Sequence, residues 1–220
     1  VDPFVIFPIW MAFVFAVMGF AIYSGLKGAR KSGELMQSLA DEFRLELLTQ
    51  PPVLGIFKRK PEVEGMWRGR RVRFHHYTTG SGKNQTTWAE LVMGNVAGSA
   101  LELSLGRQGL GSKLRAVFGA KEIRVGDSRF DEQWFIETNK PEFVQAAFIG
   151  ELREAIESSQ PRKPQGKYEL SQGEVTYTEQ GTINTPERRD RMAKAVIAAD
   201  LLLNLAAVEA EHTRAGKYLG

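Results

Sequence analysis

Cysteine is absent from this chain, and histidine occurs only three times. The first absence removes disulfides, thiolate metal sites and cysteine nucleophiles together, and fits a reducing compartment. A strong charge excess is also missing. Lys and Arg number 29 against 26 Asp and Glu, and a net charge of +3 does not point to nucleic acid. No G-x-S-x-G elbow, H-E-x-x-H helix or calcium-loop pattern occurs. What remains is a globular composition, 43% hydrophobic and 25% charged, in 220 residues. That length holds one domain, or one domain with an appendage.

One long uncharged run is present. Phe4 to Leu26 carries no Asp, Glu, Lys or Arg. As a helix it is about 34 Å long, against a hydrocarbon core of about 30 Å, so the run reads as a transmembrane helix. Trp10 and Tyr23 lie toward its ends as interfacial aromatics, and Ala12, Ala16 and Gly19 form a small-residue track for helix contact. Lys27, Arg30 and Lys31 follow it and no basic residue precedes it. The positive-inside rule then places the N-terminus outside, in the periplasm of a bacterium, and the remainder on the cytoplasmic side of the inner membrane. The same three charges suit anionic head groups.

Beyond the run, Ser32 is a candidate cap for a helix reaching about Leu48, with Leu35, Leu39, Phe43 and Leu47 on one face. Strands are expected at Arg71 to Tyr77 with Val72 and Phe74 inward, at Thr86 to Met93, through Leu101, Leu103 and Leu105, at Glu122 to Val125 and at Gln133 to Thr138. A helix is expected from Pro141 to about Ser158, then a hairpin turning at Ser171-Gln172-Gly173. Thr185 and Pro186 open a last helix to about His212. The fold class is α+β: a mixed, mainly antiparallel sheet domain with about three helices. The division is 1–31 anchor and basic flank, 32–60 juxtamembrane helix and linker, 61–220 cytoplasmic domain.

Tyr77 to Trp88 contains Gly-Ser-Gly-Lys-Asn, which resembles a phosphate loop. In that alignment Tyr77 stands where the first glycine belongs and Asn84 where the hydroxyl belongs, and β-prone residues follow instead of a helix. A hairpin turn accounts for it without a ligand. His75 and His76 are strand neighbours and point to opposite faces, so one metal ion does not suit both. Asp127 to Glu132 is acidic but reads as turn chemistry. No catalytic residue, cofactor or metal is assigned. Arg68, Arg70, Arg71 and Arg73 form a basic cluster suited to a lipid or protein face. Leu201, Leu202 and Leu205 lie on an unusually apolar last helix, which reads either as buried in its own domain or as docking a partner through one face.

Three stretches, MWRGRRVRF, GSGKNQTTW and VGDSRFDEQWFIETNKPEFVQ, follow one another in an order that resembles a group of uncharacterised bacterial membrane proteins with one N-terminal span and a cytoplasmic α+β domain. The layout is similar, more faintly, to the photosynthetic reaction-centre H subunit. Neither resemblance implies an activity. Together these observations lead to the expectation of a non-enzymatic, single-pass accessory, assembly or scaffolding subunit of a larger membrane protein complex, respiratory or photosynthetic. Its partners would be the lipid bilayer and other subunits. The alternatives are a membrane-tethered enzyme or an anionic-lipid surface-binding module.

Overall fold

Alternating apolar residues in the middle of the chain build one antiparallel sheet. The structure, a computed structural model, describes residues 3–48, 60–94, 96–107, 121–148, 150–160 and 165–218, with the backbone alone at 3–13, 21–22, 24–26, 107 and 216–218. The strands are β1 (Glu46–Leu48), β2 (Glu62–Trp67), β3 (Arg70–Thr79), β4 (Thr86–Gly94), β5 (Leu103–Arg107), β6 (Lys121–Ile123), β7 (Trp134–Thr138), β8 (Gly166–Ser171) and β9 (Glu174–Gln180). They lie side by side in the order β1-β2-β3-β4-β9-β8-β5-β7-β6. The helices are α1 (Pro3–Phe43), α2 (Ser128–Gln133), α3 (Pro141–Ala147), α4 (Gly150–Ser159) and α5 (Pro186–Tyr218).

Alternation decides which face is buried. Val72 and Phe74 of β3, Leu91 and Met93 of β4, and Val175 and Tyr177 of β9 are fully buried on one face. Registers Val72↔Met93↔Val175 and Phe74↔Leu91↔Tyr177 set them in continuous rows. The second half of α1 and the length of α5 cover that face. Met36, Leu39, Ala40 and Phe43 of α1 and Met192, Val196, Ala199, Leu202 and Leu203 of α5 complete the core. Burying each large side chain contributes about 1.5–3 kcal/mol. The opposite face carries Arg71, Arg73, His75, Tyr77, Glu90 and Val92 and stays partly open.

Two hairpin turns show why glycine stands where it does. Gln172 and Gly173 both have positive φ, 53° and 73°, in the two-residue turn between β8 and β9. At Gly173 a Cβ would overlap the Val96 carbonyl oxygen. The β3–β4 tip is a short 3-10 turn, Gly82–Asn84, behind Gly80 at φ 81°. Lys83 is exposed there and the chain enters a strand, so the Gly-Ser-Gly-Lys stretch is a hairpin tip.

The N-terminal region corrects the sequence reading. Among the described residues, no helix is long and apolar enough to cross a membrane. The transmembrane helix, the single-pass membrane topology and the inner-membrane placement with a periplasmic N-terminus are therefore not supported. The boundary expected after Leu26 is absent as well, because α1 does not stop there. It runs on through Lys27, Arg30, Lys31 and Glu34 to Phe43 as one helix of 41 residues. Its far half belongs to the α+β core. Of the residues expected in the span, the side chains of Phe4, Trp10, Ala12 and Leu26 lie outside the described residues. Ala16, Gly19 and Tyr23 are described and exposed. Ser32, expected as a cap, is buried inside the same helix.

Other boundaries shift less. The helix expected from Pro141 to Ser158 is two, α3 and α4, broken after Phe148. Leu47 lies in β1 rather than at the end of α1. Strand β2 had no counterpart in the sequence reading. Four further basic residues, Lys58, Arg59, Lys113 and Arg115, lie outside the described residues.

Candidate interaction surface

The basic cluster divides by strand parity. Arg70 shares a face with Val72 and Phe74, so it points toward α5. Its guanidinium meets the Asp200 carboxylate at 3.2 Å, donates to the Asp200 carbonyl at 3.0 Å and donates to Asn204 Oδ1 at 2.6 Å. Arg68, in the β2–β3 turn, reaches Asp200 at 3.4 Å and lies 4.5 Å from the Trp67 ring centroid. These two arginines clamp the sheet to α5. They are structural.

Arg71 and Arg73 project from the other face. Arg71 approaches Glu64 at 3.5 Å with 70% of its side chain exposed, a weak surface pair. Arg73 has no ion pair among the described residues. Both line a cavity of about 450 Å³ with Met66, Val92, Gly94 and Glu174. Further along the same face His75 Nε2 sits 2.9 Å from Glu90, and Thr178 donates to Glu90 at 3.3 Å.

His76 points the opposite way, into the domain. Its Nε2 accepts the Ile183 N–H at 2.9 Å, which fixes the segment entering α5. Burial, with Lys60, His75 and Arg188 nearby, lowers its pKa to about 4. The proton of this neutral ring is therefore on Nδ1. The two histidines face apart, as strand geometry requires. Among the described residues no group of three or more His, Asp or Glu is placed to hold a metal ion.

Two buried carboxylates organise α5. Glu179, 2% exposed, accepts from Arg188 Nε at 2.8 Å, from Arg191 Nε at 3.0 Å and from the Tyr177 hydroxyl at 3.1 Å. Burial alone would raise its pKa, but the hydrogen bonds and charges of Arg191 and Arg188 hold it below the ordinary value. Glu209, also 2% exposed, accepts from Ser99 Oγ at 2.9 Å, the Ala100 N–H at 3.1 Å, Thr213 at 2.7 Å and Lys140. Burial opposes ionisation there too, yet those four donors bring the carboxyl down to about 2. Each network is internally satisfied and reads as a fastening. Asp127 likewise caps α2 through the Phe130 N–H and pairs with Arg153 at 2.9 Å, while Asp131 accepts from the Val125 and Gly126 N–H groups.

On α5, Leu202 and Leu205 are buried in the domain and Leu201 is half-buried. The outward apolar positions are Ile197 and Val208, 41% and 48% exposed, so most of the expected docking helix is core.

Among the described residues, a run of exposed apolar side chains lies on α1. Phe15, Ala16, Val17, Met18, Gly19 and Phe20 are consecutive and all exposed, with Phe20 73% so. Six consecutive residues exceed one full turn, so the helix stands clear of its own domain on every side. Next to it, Tyr23, Lys27, Arg30, Lys31 and Glu34 line an open groove of about 610 Å³. Arg30 pairs with Glu34 at 3.0 Å on the surface.

No family model matches this chain, and no curated protein matches it either. A solved structure does: the crystal structure of the mycobacterial trehalose monomycolate transport factor A, TtfA, with a TM-score of 0.54 and 12% identity, covering 80% of this chain and 94% of that one. At that identity the likeness shows a shared fold alone.

Proposed function

We propose that this protein is a non-enzymatic accessory, assembly or scaffolding subunit of a larger membrane protein complex, joined to it by the projecting half of α1. The observation that carries this reading is the exposure of Phe15 to Phe20 around the whole helix. An apolar patch of this kind on a protein in water marks a surface that another body covers. A helix exposed on every side suits a groove or bundle that surrounds it, rather than a flat partner. Ala16 and Gly19 lie three residues apart, and a Cβ at Gly19 would meet nothing within 4 Å, so a partner helix has room to approach closely. The α5 end of the domain offers a rigid support, because Arg189 anchors it to α1 through the Ser38 carbonyl at 3.1 Å and through Glu42.

The polar networks described above add to the reading. Glu179, Glu209, Arg68 and Arg70 are each committed to holding helices on the sheet, and none converges on an open pocket with a free nucleophile. The test is native mass analysis after gentle extraction from the protein's own cells. A defined hetero-oligomer is expected. A lone monomer, or a homo-oligomer with no second polypeptide, overturns the proposal.

A further inference from the structure

Arg73 and Glu174, two charges of opposite sign without an ion pair among the described residues, stand around one hollow on the open face of the sheet. Registers Met66↔Arg71↔Gly94↔Glu174 and Glu64↔Arg73↔Val92↔Thr176 lay this region out strand by strand, with the Glu64 carboxylate on the outer side of the two arginines, away from Glu174. Arg71 and Arg73 stand two residues apart on the same face of β3 and form one wall. Glu174, on β9, forms the other, roughly 10 Å away between α-carbons at two strand spacings. Gly94 lies between them and contributes no side chain. The Glu174 side chain leans over it, with Cγ and Oε2 each 3.3 Å from where a Gly94 Cβ would be. Val92 and the 59% exposed Met66 supply apolar surface. The hollow is half-open and has a volume of about 450 Å³.

Charge decides what suits this hollow. Among the described residues Arg73 and Glu174 form no ion pair, and Arg71 has only its long contact to Glu64. A simple anion would meet the arginines but would face the Glu174 carboxylate across the hollow. A simple cation would have the reverse difficulty. A molecule with an anionic end and a cationic end satisfies both walls. Two guanidiniums on one strand face offer several N–H donors to the oxygens of a phosphate. Glu174 accepts from an ammonium, and a short aliphatic spacer lies against Val92 and Met66.

We infer that the Arg71–Arg73–Glu174 hollow binds a phosphate–ammonium zwitterion of the phosphoethanolamine type, free or as a lipid head group. The site is distinct from the α1 docking surface and stands or falls separately. Calorimetric titration of the full chain with phosphoethanolamine, inorganic phosphate and ethanolamine tests it. Phosphoethanolamine is expected to bind saturably and more tightly than either fragment. Arg73→Gln is expected to weaken phosphoethanolamine and phosphate about tenfold alike, whereas Arg73→Lys keeps most of the binding. Glu174→Gln is expected to weaken phosphoethanolamine about tenfold while leaving phosphate unchanged or tighter. All three variants alter surface side chains, and an unchanged thermal melt confirms that the fold is kept. A short-chain phosphatidylethanolamine below its aggregation limit separates the sources: tighter binding than the free head group assigns a lipid, equal or weaker binding a soluble ligand. The inference is overturned if phosphate binds as tightly as phosphoethanolamine, if Glu174→Gln does not affect the zwitterion, or if nothing saturates.

Discussion

Replacing Glu179 by Gln keeps the shape of the side chain and removes its charge. In the native domain that carboxylate is 2% exposed and receives hydrogen bonds from two guanidiniums and a phenol. An amide oxygen retains some of these contacts, but the amide nitrogen is a donor and faces another donor. Arg188 and Arg191 then keep full charge with only 22% and 21% of their side chains exposed. Removing one partner of a buried ion pair costs about 3–5 kcal/mol, and partial access of both arginines to water places this case near 3. For a chain of this size, that lowers the melting temperature by about 6–12 °C. Circular dichroism melts at pH 7, with urea titration for the free energy, measure it. Since the loss comes from stranding cations, adding Arg188→Leu to Glu179→Gln should recover part of it. Arg30→Ala, at an exposed pair, serves as the control and should shift stability by less than about 0.5 kcal/mol. A loss below about 1 kcal/mol for Glu179→Gln would refute the reasoning that this network fastens α5 to the sheet.

Three further outcomes follow from the same contacts. His76 is held neutral to about pH 4 when folded and titrates near 6.5 when unfolded. The unfolded chain therefore takes up the proton first, and about 3 kcal/mol of stability is lost as pH falls from about 6.5 to about 4, a slope that His76→Gln should flatten in melts across that window. Gly173→Ala should destabilise by about 1–3 kcal/mol, because the residue has φ 73° and a Cβ there overlaps the Val96 carbonyl; urea denaturation reads it. Arg70→Ala leaves the 9% exposed Asp200 without its closest cation and should cost about 2 kcal/mol, whereas Arg71→Ala should cost less than about 0.5, a contrast that paired thermal melts resolve.

Much of the sheet was legible because its signal is period two. Val72, Phe74, Leu103, Leu105, Val175 and Tyr177 alternate with polar residues, and all six are buried. Strand β2 was not legible, because its inward position Gly65 has no side chain and Leu45 fills the space above it. The continuity of α1 was hidden by Lys27-Gly28-Ala29-Arg30-Lys31-Ser32-Gly33, which looks like a boundary. Ala29, Arg30 and Lys31 within it and Glu34, Leu35, Met36 and Gln37 after it are good helix formers and carry the helix through.

The functional surface was legible in part. The four arginines of the β2–β3 hairpin look alike in sequence, yet parity separates them: Arg70 falls on the face of Val72 and Phe74, Arg71 and Arg73 on the other. Glu179 was missed, although it continues the inward series Val175, Tyr177, and an acid at an inward position calls for buried cations. Glu174 escaped notice for a different reason. Its relation to Arg71 runs through Gly94 across three strands, and only the strand order reveals it. Similarly, apolarity alone left Leu202 and Leu205 open between a helix buried in its own domain and a docking face, and the three-dimensional packing assigns them to the core.

The most direct test of the central claim is site-specific photo-crosslinking from α1 in the protein's own cells, with a benzophenone side chain at Phe15 or Phe20 and a control at the solvent-facing Glu211. The account predicts one polypeptide adduct of defined mass from both α1 positions and none from the control. Adducts to lipid alone, to a second copy of this chain alone, or to no molecule at all would contradict it.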